Sequence, residues 1–329
     1  MKYNQLGASG FNVSAVVMGC WGIGGGYTWG EQDEKVSIDT IRAAVDAGVN
    51  LFETAEFYSE GYSEEVVGKG LQGLRAKVMI ATKVWVDNLA KDKIVASCEG
   101  SLKRLQTDYI DLYQIHWPSR EVPVAETLGA MEQLKKAGKI RNIGVSNFGV
   151  NDLSCALAAG NIVTNQMAYS LLFRAIEHEI RDKCIASDVA LLAYSPLAQG
   201  LLTGKFKSPK DVDDERARLR FYSKDRSGTV HDEDGYEEEV FEAIGKIRAI
   251  CDEMAAPMAH VALAWVLQQP GIQAVLAGAR NPDQIIMNTK AADLVLSADV
   301  IKKLNAATDT LKYSMGPNAD PWRTASRIQ

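Results

Sequence analysis

The sequence has few of the residues that build disulfide frameworks and metal sites. It contains five cysteines and four histidines among 329 residues. The cysteines are widely spaced and form no CxxC pair; they are Cys20, Cys98, Cys155, Cys184 and Cys251. An odd number of scattered thiols fits neither a disulfide framework nor a zinc site. We therefore expect reduced thiols, a cytoplasmic location and no metal.

Long apolar runs and an excess of positive charge are missing as well. No run approaches the ~18 apolar residues of a membrane span, and residues 1–6 lack the apolar core of a secretory signal. The formal net charge of −6 disfavours nucleic acid and anionic membranes as partners. A hydrophobic content of 47% is instead typical of a soluble globular protein with a sizeable core.

What the sequence does have is a repeated alternation of apolar strand-like runs with amphipathic helical segments. A hairpin is predicted over residues 2–13, with its turn at residues 7–10. Eight runs follow, at residues 16–19, 51–54, 78–83, 110–116, 140–145, 164–169, 190–194 and 273–278. Apolar strands that alternate with such helices indicate a parallel sheet covered by helices. Eight units predict one (β/α)8 barrel domain over residues 1–329.

An open, doubly wound sheet is the alternative, and it needs a glycine-rich turn directly between a strand and a helix. The glycines of residues 22–26 follow the first run but lack the GxGxxG spacing. They continue through Tyr27, Thr28, Trp29 and Gly30 before any helix begins. We interpret this segment as a flexible loop at the rim of the barrel.

Helix signals and two irregular segments complete the predicted organisation. Asp33 is the expected N-cap of the first helix, and Asn151 that of a later one. The charged residues 205–239 interrupt the repeat after the seventh barrel strand. They predict a long loop that is either functional or a solvated surface excursion. The tail over residues 313–329 either folds over a rim or frays.

Polar or aromatic residues follow the predicted strands, at the end where barrels place their active sites. Four of them, Glu53, Tyr58, Lys83 and His116, form a chemically coherent set. A phenol can protonate a carbonyl oxygen, an ammonium can lower the pKa of the phenol, and a carboxylate can orient the ammonium. The imidazole can orient the substrate oxygen. Each residue taken alone also has an ordinary structural explanation.

The four residues lie in phrases that resemble signatures of the aldo-keto reductase family. The phrases are NLFETAEFY at residues 50–58, ATK at 81–83, QIHWP at 114–118 and KIRNIGVSNF at 139–148. The resemblance extends over essentially the whole chain. It implies a nicotinamide-dependent oxidoreductase in which Tyr58 is the general acid/base, Lys83 and Glu53 tune it, and His116 orients the carbonyl. The family has Asp where this chain has Glu53.

The resemblance also implies a cofactor site that runs from a nicotinamide end to an adenosine end. Its residues are Ser146, Asn147, Gln166, Tyr194, Ser195, Leu197, Gly200, Lys205, Gly278, Arg280, Gln284 and Asn288. Arg280 either stacks on adenine or binds a 2′-phosphate, and on the second reading NADP(H) is preferred over NAD(H). Alternatively, Arg280, Gln284 and Asn288 are polar only because they lie at the start of a helix.

Aromatic residues near the strand ends predict the substrate class. Trp21, Trp85 and Trp117 are the expected pocket residues, and Trp29 and Trp322 stay open. Aromatic walls suit both aryl carbonyls and sugar faces. We expect reduction of an aldehyde or ketone to an alcohol, or the reverse, in a chain that can form a homo-oligomer.

Two other functions stay open at this stage. A sugar epimerase or lyase with tightly bound NAD(P) would oxidise and re-reduce its substrate, and Glu53 would then be a second acid–base group. A regulatory subunit, like the β-subunits of potassium channels in the same family, would bind cofactor and turn over slowly.

Overall fold

Two short antiparallel strands precede a closed barrel of parallel strands. The computed structural model describes residues 1–26 and 29–329, so Tyr27 and Thr28 of the predicted rim loop lie outside the described residues. The hairpin strands are β1 (Tyr3–Gln5) and β2 (Asn12–Ser14). The barrel strands are β3 (Val16–Gly19), β4 (Leu51–Glu53), β5 (Met79–Val84), β6 (Ile110–Ile115), β7 (Ile140–Ser146), β8 (Thr164–Ala168), β9 (Ala190–Tyr194) and β10 (Ile272–Gly278). They close in the order β10-β3-β4-β5-β6-β7-β8-β9, which confirms the predicted (β/α)8 fold.

Helices cover the outside of this barrel. They are α1 (Glu34–Asp46), α2 (Tyr62–Gly70), α3 (Lys91–Leu105), α4 (Val124–Lys136), α5 (Val150–Ala159), α6 (Ile180–Ala186), α7 (Glu237–Glu253), α8 (Met258–Leu267), α9 (Pro282–Lys290) and α10 (Ala298–Met315). In the described part of the chain, no single helix is long and apolar enough to cross a membrane; only α7 and α8 taken together, bent by 98°, have that length and composition.

The two predicted helix caps have different outcomes. The Asp33 side chain accepts a hydrogen bond from the Val36 amide and caps α1, as predicted. The cap at Asn151 is wrong, because α5 already begins at Val150. The amides of Asn151 and Asp152 instead donate to the main-chain oxygen of Gln329. The last residue of the chain therefore occupies the place that a capping side chain takes elsewhere.

The hairpin closes the lower end of the barrel. Leu6 and Val13 are buried against inward-facing residues of the strands, among them Val17, Leu51 and Leu112. This layer is apolar because alternate residues of each strand point into the barrel. The end where the strands begin is therefore filled, and the opposite end is left for polar side chains.

The long segment after β9 is packed, so its interpretation as a solvated excursion is wrong. Short 3₁₀ turns at Ala198–Thr203 and Pro209–Asp211 are its helical structure before α7 begins at Glu237. Leu219 and Phe221 are buried. Between them, the Arg220 guanidinium donates to the main-chain oxygen of Asn318 at 3.1 Å.

The tail also has a defined place, and it does not fray. The side chain of Asp320 is fully buried and forms an ion pair with Arg327 at 2.7 Å. The Arg327 guanidinium lies over the ring of Trp117 at 3.6 Å, and Trp322 stacks on Tyr194 at 6.0 Å. The tail thus folds over the rim at which the strands end.

Candidate active site

The four predicted catalytic residues converge at the end where the barrel strands stop. Glu53 is the last residue of β4, and Lys83 lies near the end of β5. Tyr58 begins the 3₁₀ turn after β4, and His116 directly follows β6. The parallel strands bring these ends to one rim, although the residues are far apart in the sequence.

Lys83 is the centre of the hydrogen-bond network at this rim. Its fully buried ammonium forms an ion pair with Glu53. It donates to the Tyr58 hydroxyl at 2.9 Å and to the main-chain oxygen of Thr54 at 3.0 Å. All three donors of an ammonium therefore have acceptors, which a buried lysine requires.

The pKa values show how this network differs from the expectation. Desolvation lowers the pKa of Lys83, and the neighbouring Glu53 carboxylate opposes that effect. Desolvation and then the Glu53 carboxylate hold the pKa of the Tyr58 phenol well above its usual range. Burial and the Glu53 carboxylate thus outweigh the lowering that was expected from the Lys83 ammonium. Tyr58 is thus protonated at neutral pH.

His116 is held as a neutral imidazole. Desolvation, followed by the charges of Lys83 and Arg327, lowers its pKa well below 6.5. Its Nδ1 atom is buried and has no hydrogen-bond partner among the described residues. The ring meets that of Tyr58 edge-on, with centroids 5.7 Å apart. A neutral imidazole beside the phenol can donate one N–H to a carbonyl oxygen.

An unusual backbone conformation holds Tyr58 in place. Ser59 and Glu60 have left-handed φ values of 50° and 55°, which non-glycine residues seldom adopt. The Ser59 hydroxyl donates to the main-chain oxygen of Gly25 at 3.1 Å. On the other side, Trp21 stacks on the Tyr58 ring at 5.7 Å. Such strain is found at functional sites and persists only where the surroundings enforce it.

A groove of about 530 Å³ leads from Glu53 and Tyr58 along the rim, within the size range of ligand sites. Most of the predicted cofactor residues line it, namely Tyr194, Ser195, Leu197, Gly200, Lys205, Gly278, Arg280, Gln284 and Asn288. Trp21 and Trp29 line it too. One groove therefore runs from the Tyr58 phenol to the predicted pyrophosphate and adenosine ends.

Ser146, Asn147 and Gln166 lie buried at the ends of β7 and β8, close to His116. The Asn147 amide nitrogen donates to the main-chain oxygen of His116 at 3.0 Å, and its oxygen accepts from the Tyr194 hydroxyl at 2.8 Å. Asn147 is thus occupied in tying strand ends together. The Gln166 amide nitrogen is buried without a partner in the described chain, so it is a free donor near this end.

Cations collect at the other end of the groove. Desolvation and the nearby Arg216 guanidinium lower the pKa of Lys205, Asp213 opposes this shift, and Arg280 adds to it. Arg216 lines the same groove as Lys205 and Arg280. Sequence reasoning missed it, since nothing distinguishes it from the other charged residues of its segment. Three cations suit the phosphates of a dinucleotide.

The aromatic residues divide between the groove, an exposed wall and the interior. Trp85 stacks on Phe57 with ring centroids 3.8 Å apart, and it meets His116 edge-on at 5.1 Å. Phe57 is 54% exposed and was missed by sequence reasoning, although it directly precedes Tyr58. Trp117 does not line the groove; it is buried beneath the tail against Trp322. Its expected place in the pocket is therefore not supported.

A buried free amide at one end and cations at the other fit a nicotinamide dinucleotide, and the phenol between them fits proton transfer. A parallel barrel with this site defines a nicotinamide-dependent oxidoreductase. Residues 15–309 match the aldo/keto reductase family. The chain belongs to this family, and it is an NAD(P)H-dependent enzyme of carbonyl reduction.

Individual relatives agree over nearly their whole length. The chain is 37% identical to the aldo-keto reductase YhdN of Bacillus subtilis, over 96% of this chain and 97% of the relative. It is 33% identical to the NADH-specific methylglyoxal reductase of Escherichia coli, over 90% of this chain and 95% of the relative. The structure of an aldo-keto reductase from Klebsiella pneumoniae in complex with NADPH has a TM-score of 0.75 and 29% identity, with 94% of this chain and 95% of that one covered.

Proposed function

We propose that this enzyme reduces an aldehyde or ketone by protonating its oxygen from Tyr58, with NADP(H) held in the groove. The observation that carries the proposal is the contact of 2.9 Å between the Lys83 ammonium and the Tyr58 hydroxyl, beside a neutral His116. The bound nicotinamide would supply the hydride. The chain itself supplies the proton, the orientation of the substrate oxygen and the exclusion of water.

Tyr58 is the proton donor. Its raised pKa keeps the phenol protonated at neutral pH, so the acid form is always present. As the proton leaves the Tyr58 oxygen for the substrate oxygen, a phenolate forms beside the Lys83 ammonium and is stabilised by its hydrogen bond. Glu53 opposes the lowering of the Lys83 pKa by burial and so favours its charged form. The neutral His116 ring orients the carbonyl oxygen toward the phenol.

Glu53 supports simple reduction over epimerisation or lyase chemistry. Its carboxylate pairs with Lys83 and lies 3.5 Å from the Tyr58 hydroxyl. The longer side chain of Glu therefore serves the lysine, as the shorter Asp of the family is expected to do. A carboxylate engaged in this pair is poorly placed to act as a separate base.

The cofactor preference proposed here is NADP(H) over NAD(H). Arg280, Arg216 and Lys205 make the adenosine and phosphate end of the groove cationic. A ribose 2′-phosphate adds negative charge there, and an arginine recognises it with two parallel hydrogen bonds. The Escherichia coli relative named NADH-specific makes this preference a question for direct measurement.

Aryl and sugar carbonyls are the proposed substrates. The stacked pair of Phe57 and Trp85 stands beside His116, and Trp21 packs on Tyr58. Flat aromatic walls stack on aryl rings and on the apolar faces of sugars. We place the enzyme in the cytoplasm, without a metal, nucleic acid or membrane partner, and a homo-oligomer can be tested by its mass in solution.

One experiment tests the proposal against both alternatives. Purified enzyme is incubated with aryl aldehydes, methylglyoxal and sugars, with NADPH or NADH, while substrate and nicotinamide absorbance are followed together. Equal consumption of substrate and cofactor supports the reductase. Sugar conversion without net change in the cofactor would favour an epimerase or lyase, and binding without turnover would favour a regulatory subunit.

A further inference from the structure

Arg280 at the adenosine end of the groove is held by a segment of the chain that sequence reasoning left without a function. The Gln32 amide nitrogen donates to the main-chain oxygen of Arg280 at 2.9 Å. The Gln32 amide oxygen accepts from the Arg280 Nε at 2.8 Å. One side chain thus fixes both the backbone and the guanidinium of the same residue.

Further contacts reinforce this arrangement. The Arg280 Nη2 donates to the main-chain oxygen of Glu31, and the Arg280 amide donates to the Gln284 side chain at 2.8 Å. A Cβ at Gly22 would lie 3.7 Å from the Arg280 Cγ and 3.8 Å from the Trp29 ring. The stem of Arg280 therefore lies beside Gly22, close to the Trp29 ring that lines the groove.

These contacts use some donors of the guanidinium and leave others. Nε and Nη2 are directed at Gln32 and Glu31, whereas Nη1 and the flat face of the group are not used by them. The planar fork of arginine cannot rotate one donor without the others. Fixing Nε therefore sets the direction in which the remaining donor and the face point.

The position of Gln32 is itself well determined. It directly precedes Asp33, whose side chain caps α1. The first turn of α1 thus anchors the backbone from which Gln32 reaches Arg280. A flexible arginine loses much rotamer freedom when it binds a phosphate, and an arginine already held in place loses less.

We infer that Gln32 is a positioning residue for cofactor recognition: it holds the Arg280 guanidinium in the orientation that reads the ribose 2′-phosphate, and it thereby sets the preference for NADP(H). This inference rests on the proposed use of NADP(H) in the groove. Gln32 does not contact the reacting atoms, so its effect falls on cofactor binding and not on the chemical step.

The test compares Gln32→Met, Gln32→Glu and Arg280→Ala with the wild type. Dissociation constants for NADPH and NADH are measured by quenching of tryptophan fluorescence, with kcat and the melting temperature of each variant. Gln32→Met keeps the size but removes both hydrogen bonds, and it should weaken NADPH binding about tenfold while NADH changes less than about twofold. Gln32→Glu keeps an acceptor for the Arg280 Nε and adds a negative charge that repels the phosphate. It should therefore also lower the affinity for NADPH relative to the affinity for NADH.

Glu31→Gln is the matched control, because Glu31 contacts Arg280 through its main-chain oxygen. It should leave the ratio of NADPH affinity to NADH affinity within about twofold of the wild-type ratio. Equal weakening of both cofactors by Gln32→Met would overturn the inference, since a general structural role has that effect. An unchanged ratio in both Gln32 variants would overturn it as well.

The Arg280→Ala variant distinguishes a failure of this inference from a failure of the proposed function. If Arg280→Ala lowers the ratio and Gln32→Met does not, the inference fails and the proposed reading of the 2′-phosphate by Arg280 stands. If Arg280→Ala leaves the ratio of affinities unchanged, Arg280 does not recognise the 2′-phosphate. The inference about Gln32 then fails, while NADPH-dependent reduction can stand. If the wild type binds neither cofactor, the proposed function itself fails.

Discussion

Two ion pairs at opposite ends of the barrel place the same kinds of charged group in different surroundings. At the rim where the strands stop, fully buried Lys83 pairs with Glu53 and also donates to Tyr58. At the end where they begin, Arg75 pairs with buried Asp111 at 2.6 Å. The first pair borders the groove through Glu53, whereas in the second Asp111 is buried and Arg75 is partly exposed.

The lower pair has its polar groups directed at fixed partners. Arg75 donates to the main-chain oxygens of Val78 and Tyr109 and packs on the Tyr109 ring at 4.0 Å. Arg141 also packs on that ring, at 3.9 Å. The pair at the other end differs in that Lys83 also donates to the Tyr58 phenol, the proposed proton donor. On the proposed mechanism, the upper pair serves catalysis because it faces a cavity and shares a hydrogen bond with an acid.

The largest predicted effect is on the upper pair. Tyr58→Phe should lower the reduction rate about 10²–10⁴-fold, because it removes the proton donor. NADPH binding should stay close to wild type, since the cofactor residues lie on other strands. Unfolding should become easier by about 1–3 kcal/mol, because one donor of the buried Lys83 ammonium loses its acceptor. Initial rates, fluorescence titration and denaturant titration measure these effects. Tyr62→Phe is the control, because it removes a neighbouring hydroxyl that bonds Glu34 outside the groove. A near-normal rate in Tyr58→Phe would contradict the proposal that Tyr58 is the proton donor.

The lower pair should respond in the opposite way. Asp111→Ala leaves Arg75 without its anionic partner and removes the acceptor of the Ile80 amide, so unfolding should become easier by about 3 kcal/mol. Denaturant titration measures the loss. The rate per folded molecule should be retained at low temperature. Asp299→Ala, which breaks an exposed pair with Lys303, is the control and should leave the transition in place. A lost rate without lost stability would contradict the comparison.

A smaller effect concerns pH. The pKa of His116 is lowered in the folded state, so the unfolded chain binds its proton first as the pH falls below about 6.5. Stability from this group is therefore present above that pH and is lost on acidification, by up to about 1.4 kcal/mol per pH unit. His116→Asn should flatten the stability profile between pH 6.5 and 5, as measured by denaturant titration. Parallel profiles for the two proteins would show that His116 is not buried in its neutral form.

The smallest effect is expected for Glu53→Asp. The shorter carboxylate keeps its charge, and Lys83 keeps its bonds to Thr54 and Tyr58. Reduction should therefore change by less than about tenfold, well below the ~10²-fold that a misplaced catalytic group can cost. The variant is assayed for net reduction and for redox-neutral sugar conversion. Loss of a redox-neutral activity while reduction rises would favour an epimerase or lyase.

The strand positions could be read from the sequence because they depend on local pattern. The candidate catalytic residues were predicted mainly from phrases that resemble the aldo-keto reductase signatures and partly from their places at strand ends, and the structure brings them to one rim. Buried parallel strands need continuous apolar runs, and β3 and β9 end where those runs end. Glu53, Lys83 and His116 lie at or near the ends of predicted strands. They were expected to lie close together, since parallel strands stop at one rim. Asp33 was predicted as a cap for the same reason, because a cap acts within one turn of its helix.

Tertiary structure alone decided the features that depend on which distant segments meet. Arg216 reaches the groove, Trp117 lies under the tail, and Gln329 occupies the start of α5, yet no spacing in the sequence brings them there. The pKa of Tyr58 was predicted in the wrong direction because it depends on how much water the surrounding loops exclude. Burial and long-range contacts are properties of the assembled barrel. The recurrence of apolar runs, the order of the strands and the chemistry of each residue are already present in the sequence.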